Sequence, residues 1–373
     1  MAGIYLHIPY CKQACNYCDF HFSTSLGSMP SMRDAMCNEI LLRSQSLTWS
    51  TKEYTSIYFG GGTPSILPLA DLAKLLSDLK NRFNISPAAE ITLEANPDDI
   101  NPEKLGAWLE LGITRLSVGL QSFHASDLQW MNRAHGADEA AGVVSMIRSA
   151  GFNNFSIDLI YGLPTWSDTE WSENINQLIS LDVPHVSCYI LTVEPKTALG
   201  NQVKKGVVSM LDDKIPSQYA LLCESLQQAG YDHYEVSNFA KSGFYSRHNG
   251  SYWSGQPYLG IGPGAHGFDG ATRYWNAASN MAYIHAAGVK EEVEELTQHD
   301  KYNELIMTRL RTAEGLNLRD CQNLFGKVPA DVDPLAWKKY LASGELVVLG
   351  DNVRIAETSW LIGDRIASDF FWV

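Results

Sequence analysis

The chain has 373 residues, 45% of them hydrophobic, and a formal net charge of −14 from 42 acids and 28 bases. That length holds one large α/β domain plus a smaller one, or two medium domains. So acidic a surface repels phosphate backbones, which sets nucleic acid aside as a partner but leaves room for a local basic patch. The opening MAGIYLHIPY lacks the basic start of a secretory signal. No apolar run reaches the roughly 18 residues of a spanning helix. Seven cysteines, an odd number at uneven spacings, argue against a disulfide framework and for a reducing cytosol.

In chain order, the first half repeats one pattern. GIYLHIP (3–9) reads as a strand and is followed by a helical stretch at 31–47. YTSIYF (54–59) is the next strand, with a helix at 69–83. EITLEAN (90–96) precedes a helix that starts near Pro102, and RLSVGLQ (115–121) precedes helical material ending at Gly151. FSIDLIYG (155–162) and HVSCYIL (185–191) flank a helix around 168–181. Strands alternating with helices imply a parallel sheet with right-handed crossovers. In EITLEAN, Ile91, Leu93 and Ala95 share one face, and Thr92, Glu94 and Asn96 the other. The next two strands alternate likewise. Helices must cover the apolar faces, so the polar faces line a lumen. A closed eight-stranded barrel fills its interior with branched aliphatics. Six strands with a polar interior predict an open barrel around a large ligand.

After about residue 200 the pattern changes. A helix spans roughly 212–229, and a Gly- and aromatic-rich region runs from Tyr231 to Tyr274. The acidic stretch 291–299 reads as a link. Beyond it come helices near 301–313 and 334–343, a hairpin in ELVVLGDNVRIA (345–356), and a last helix ending near Phe371. Helices plus a hairpin predict a winged-helix-like unit. The expected organisation is a partial barrel at 1–200, an extension at 201–295 and a C-terminal helical domain at 296–373. The terminal FFWV is expected to dock onto the barrel.

Three cysteines, Cys11, Cys15 and Cys18, follow the first strand in CKQACNYCDF, where loops of a parallel barrel build sites. Three thiolates on one tight loop can bind three corners of a four-iron cubane, leaving the fourth iron for a small chelating molecule. Zinc, with His7 or His21 completing a tetrahedron, is the competing reading. FGGGTP (59–64) follows the second strand. It serves either a close backbone approach to a ligand or a flexible turn before a helix. RHNGSYW (247–253) offers a histidine that can ligate heme iron and aromatics that can stack on a porphyrin. A lone exposed histidine is more commonly a surface or capping residue. His266, in YLGIGPGAHGF, is a second candidate for iron. Cys37, Cys188, Cys223 and Cys321 read as buried small hydrophobes.

CxxxCxxC after the first strand, within HIPYCKQACNYCDFHF and together with YFGGGTPS, resembles the radical S-adenosylmethionine (SAM) superfamily. The likeness is to the branch that contains oxygen-independent coproporphyrinogen III dehydrogenase (HemN) and the HemW heme chaperones. It implies an α/β fold: a partial (β/α)6 radical SAM barrel with a small C-terminal winged-helix-like domain. It also implies a [4Fe-4S] cluster on Cys11, Cys15 and Cys18, with SAM on the open iron. An electron from the cluster then breaks a C–S bond to give a 5′-deoxyadenosyl radical. The resemblance carries SAM contacts onto Tyr5, Gly61 and Glu94. It carries a second SAM site onto Tyr17, Gly62, Thr63, Gln121, Arg133 and Asp158. The plainer readings are a strand-end carboxylate reaching solvent for Glu94 and a buried Arg133–Asp158 pair. HNxxYW, as His248, Asn249, Tyr252 and Trp253, resembles the motif tied to heme binding in HemW proteins.

Two functions follow from the resemblance: an enzyme that decarboxylates coproporphyrinogen, and a carrier that passes heme to an acceptor hemoprotein. The enzymes carry CxxxCxxCxC, whereas Phe20 stands at the last position here. They also carry an extension before the first strand, which here begins at residue 3. Those two features and HNxxYW favour the heme chaperone. The implied partners are heme and an acceptor hemoprotein, membrane-bound respiratory enzymes among them. The expected location is the cytoplasm, with transient visits to a membrane. No catalytic group is assigned.

Overall fold

The computed structural model describes residues 1–164, 167–210, 212–289 and 291–373. Six strands lie side by side in chain order: β1 (Ala2–Ile8), β2 (Glu53–Gly61), β3 (Asn84–Ala95), β4 (Arg115–Gln121), β5 (Phe155–Tyr161) and β6 (His185–Ile190). Each pairs with the next in parallel. Helices Met29–Ser44, Leu69–Arg82, Pro102–Leu111, Ala137–Ala150 and Asp168–Ser180 return the chain across the apolar face. In the second of these, Leu72, Leu75, Leu76 and Leu79 follow helical spacing and are all buried. They cover the sheet face that carries Ile57, Phe59, Ile91 and Leu93, also buried. This is the open α/β barrel expected from the alternation.

The segment after the barrel extends the same sheet at both edges. β7 (Asp232–Glu235) pairs antiparallel with β8 (Asn238–Ala240), and β8 pairs antiparallel with β6. β9 (Tyr258–Ile261) joins the opposite edge, parallel to β1. β10 (His266–Phe268), β11 (Thr272–Asn276) and β12 (Glu291–Glu295) continue outward as antiparallel neighbours. The acidic stretch read as a link is therefore in large part an edge strand. Its exposed glutamates blunt an edge that would otherwise pair with another chain. Buried Glu39 anchors this side. It accepts from Gly262 N (3.0 Å), Asn276 Nδ2 (2.9 Å) and Tyr283 Oη (2.6 Å), tying the first helix to the added strands.

Between β8 and β9, on opposite edges, the helix Arg247–Trp253 crosses under the N-terminal ends of the barrel strands. Glu90 Oε1 accepts from its first two amides, Arg247 N (3.1 Å) and His248 N (3.2 Å). A carboxylate at that end also complements the helix dipole. Gly3 in β1 has no side chain where the His248 ring passes; a Cβ there would lie 3.1 Å from it.

The C-terminal part packs helices Gln298–Arg309, Leu318–Phe325 and Pro334–Ser343 on a small sheet. That sheet is β13 (Leu316–Asn317), β14 (Leu346–Leu349) and β15 (Asn352–Ile355), in the order β13-β15-β14. The tail docks on this unit rather than on the barrel, against expectation. Trp372 N donates to Asn303 Oδ1 (2.7 Å), and the Lys327 ammonium sits 4.1 Å over the Trp372 ring. Phe370 is buried against Trp337 and Tyr340. Apolar surface was available nearer to the tail than the barrel, which explains the outcome. Among the described residues no helix is long and apolar enough to cross a membrane.

Candidate functional site

The lumen is a cavity of about 720 Å³ running from the loops at the C-terminal strand ends down toward the crossing helix. Cys11, Cys15 and Cys18 stand at its mouth. Burial pushes the Cys18 thiol up to about 11, and the neighbouring Cys15 and Cys11 push the same way. Thiols so placed become thiolates only against strong positive charge, which cluster iron supplies. Arg133 adds to it: Nη1 donates to Cys15 Sγ at 3.4 Å. The donor set fits three corners of a cubane. Of the two histidines that could complete a zinc tetrahedron, His7 is engaged at both ring nitrogens and His21 at Nε2. His7 Nε2 pairs with the His21 carbonyl (2.8 Å) and Nδ1 with the Tyr5 hydroxyl (3.2 Å), while His21 Nε2 pairs with Asn280 Oδ1 (2.7 Å).

Glu94 faces the lumen from the end of β3, not solvent. It accepts from Tyr58 Oη (2.8 Å) and Gly61 N (3.2 Å). Burial raises its pKa to about 7, and Asp158 adds to the rise. A buried acid so poised gains most from a cationic ligand such as an ammonium group. Gln121 ends β4 with φ +70°, the left-handed region that ordinary side chains avoid, and its Oε1 is buried without a partner. A strained backbone that holds an unsatisfied amide in a cavity is typical of ligand contacts. Arg133 and Asp158 both line the cavity but do not pair. Arg133 Nη2 donates to Gly119 O (2.6 Å) and Asn96 Oδ1 (2.9 Å), and Asp158 accepts from Ser117 Oγ (3.0 Å). Tyr17 and Thr63 also line it.

Three of the residues expected at SAM are also packed against the protein itself. Gly61 and Gly62 line the cavity, but their missing side chains admit the protein itself. A Cβ on Gly62 would lie 2.5 Å from Tyr10 O, and one on Gly61, at φ +108°, 2.7 Å from the His7 ring. The glycines let the loop after β2 clamp the loop after β1, with Gly62 N to Ile8 O at 2.8 Å. Tyr5 does not line the cavity. Its ring stacks on Tyr58 at 6.1 Å and on His248 at 6.4 Å, behind the lumen wall. Tyr58, Arg115, Ser187 and Tyr189 do line it and were not singled out in the sequence. Strand alternation could have found Arg115, which shares the polar face of β4 with Ser117, and the same alternation applied to β2 would have found Tyr58 beside Ser56.

The HNxxYW residues divide. His248 is 1% exposed and lines neither the lumen nor the smaller cavity beside it. Its Nδ1 is 2.9 Å from Ser56 Oγ and its Nε2 2.9 Å from Tyr252 Oη. Burial lowers its pKa to about 3, with Arg115 a further cause, so the ring is neutral. Both nitrogens are engaged in this conformation, so the ring is held by the wall and turned away from the lumen cavity. His266, the second candidate, is exposed on β10, stacks on Trp275 and lines neither cavity. Asn249 reaches the lumen. Asn249, Tyr252 and Trp253 line an adjoining cavity of about 330 Å³ with Glu235 and Arg311. The Arg311 guanidinium lies 5.8 Å from the Trp253 ring. The two cavities share Tyr189, Ser237 and Asn249. Of the other cysteines, Cys188 and Cys321 are buried and Cys37 and Cys223 only partly so.

Comparison with known proteins agrees with this geometry. The radical SAM superfamily matches residues 5–178, and the HemN C-terminal domain matches residues 296–362. The heme chaperone HemW of Mycobacterium tuberculosis is 36% identical over 85% of this chain and 83% of its own. The heme chaperone HemW of Bacillus subtilis is 32% identical over 99% of both chains. Coproporphyrinogen III oxidase (HemN) of Escherichia coli, a radical SAM enzyme, superposes with a TM-score of 0.84 over 99% of this chain and 90% of its own, at 21% identity. That last likeness bears on the fold alone. Membership of the superfamily implies a [4Fe-4S] cluster and SAM, and the loop of Cys11, Cys15 and Cys18 above the polar lumen fits both. The chain, with this cysteine loop over an open six-stranded barrel, belongs to the HemW family of the radical SAM superfamily.

Proposed function

We propose that the chain is a heme carrier that takes up heme and passes it to an acceptor hemoprotein. The observation that carries this reading is HNxxYW on the crossing helix, in a chain 32% to 36% identical to proteins named heme chaperone HemW. Asn249, Tyr252 and Trp253 put an amide and two aromatic side chains on cavity walls, a surface suited to a flat, largely apolar ring system. Phe20 in place of a further cysteine supports the carrier over a coproporphyrinogen dehydrogenase.

On this reading Cys11, Cys15 and Cys18 would hold the cluster, and Glu94, Gln121 and Arg133 would orient SAM, with Tyr17, Thr63 and Asp158 beside them. Cluster and SAM together supply one-electron chemistry when bound. Glu94 accepts a cationic group at neutral pH after losing its own proton. Arg133 holds the cysteine loop over the lumen through Cys15, Asn96 and Gly119. The acceptor class expected is a hemoprotein, with membrane-bound respiratory enzymes as candidates.

The test is to reconstitute the cluster without oxygen and offer heme and coproporphyrinogen III in parallel. Stoichiometric heme binding, transfer to an apo-hemoprotein and no protoporphyrinogen are expected. Multiple turnovers of coproporphyrinogen would overturn the carrier.

A further inference from the structure

Arg115 opens β4 at the N-terminal end of the lumen. It is 1% exposed, yet it lines the 720 Å³ cavity. Its Nε has no hydrogen-bond partner, and no hydrogen bond or ion pair of its side chain is found among the described residues. A buried guanidinium without acceptors costs several kcal/mol. The bland account makes it a counter-charge for the lumen acids. Glu94 and Asp158 do feel it, since Arg115 lowers both of their pKa values. Both acids already have nearer donors, however: Tyr58 and Gly61 for Glu94, Ser117 for Asp158. A structural counter-charge would be expected to close on one of them. Arg115 instead stays unpaired at Nε on the cavity wall, and its guanidinium is a planar fork of donors of the kind that matches a carboxylate. Ser117, Ser187, Ser237 and Asn249 also line this cavity and add neutral hydrogen-bonding groups.

We propose that Arg115 is a carboxylate-binding residue of the lumen and grips a propionate of the tetrapyrrole cargo. The proposal rests on the heme-carrier reading and adds to it where the ring sits: in the barrel, acid groups downward, under the cluster loop. The other charged or titratable groups lining the same space are Glu94, Asp158, Arg133, Asp19 and Glu194, with Tyr17, Tyr58, Tyr189 and the three cysteines of the loop. A second molecule of SAM also carries a carboxylate, so the same fork could hold that group instead.

The experiment uses the reconstituted full chain. It compares heme with heme dimethyl ester, both in one detergent, on the unaltered protein, Arg115→Gln and Arg115→Lys. SAM affinity is measured on each, and cluster iron content checks the fold. The unaltered protein is expected to bind heme about tenfold tighter than the ester. Arg115→Gln should lower heme affinity about tenfold, leave the ester unchanged and bring their ratio near one. Arg115→Lys keeps a cation without the fork and should fall between the two, which keeps the test open if the glutamine variant does not fold. An undiminished ratio in the variants overturns the proposal. A fall in SAM affinity with that ratio intact assigns the fork to SAM and likewise overturns it. Equal binding of heme and ester by the unaltered protein removes the proposal and spares the carrier, whereas no heme binding at all removes the carrier reading first.

Discussion

The two ends of the barrel are built on opposite terms. At the upper end, polar groups are left without partners: Gln121 Oε1 and Arg133 Nε are buried and unsatisfied, and Gln121 holds a strained backbone. At the lower end, the conspicuous motif residue is satisfied on every side: His248 is bonded to Ser56 and Tyr252 and stacked 5.0 Å from Tyr58. The lower end is mostly wall, with Arg115 Nε left unpartnered where it meets the lumen. Here His248 braces the surface on which Asn249, Tyr252 and Trp253 stand.

The sharpest way to break this contrast is at the top. Cys15→Ala removes one corner of the cluster loop, and iron and sulfide per chain after anaerobic reconstitution should fall by more than about tenfold. One zinc per chain, with no inorganic sulfide, in the unaltered protein would restore the zinc reading. At the bottom, His248→Ala opens a void and strands the Ser56 and Tyr252 hydroxyls. A loss of about 3 kcal/mol in urea unfolding is expected, with the ligand-field spectrum of bound heme unchanged. A changed spectrum with stability intact would return His248 to the iron.

Glu94 sharpens the contrast through pH. Its folded pKa, about 7, lies above the ordinary 4.5, so folding favours the protonated acid. That stabilisation is complete below pH 4.5 and is lost as pH rises through 7. Glu94→Gln cannot ionise. Between pH 5 and pH 8 its urea stability should gain about 3 kcal/mol on that of the unaltered, cluster-free chain. The smallest effect is expected at Gln121→Gly. Relief of the positive φ should stabilise the chain by about 1 kcal/mol while SAM binding weakens. Calorimetry of both quantities checks it.

Much of the upper end was legible in the sequence, because its residues sit in contiguous motifs at strand ends. CxxxCxxC and FGGGTP each follow a strand, and alternation along EITLEAN put Glu94 on the lumen side. The clamp role of Gly61 and Gly62 was not legible, since it depends on how closely the loops after β1 and β2 approach. The lower end was hardly legible. Glu90, Ser56 and Gly3 meet His248 only because β8 and β9 attach to opposite edges, a topology no local pattern records. Arg115 shares the polar face of β4 by alternation, but its burial and missing partner depend on the packed lumen and leave no mark in the sequence.

That topology has a mechanical consequence. The crossing helix is strung like a bowstring between two margins of one curved surface, stitched to β6 through β8 and to β1 through β9. Any widening of the open barrel must pull on both attachments at once. A change of curvature produced at the cysteine rim would therefore be felt as tension at Asn249 and Tyr252, with no moving domain in between.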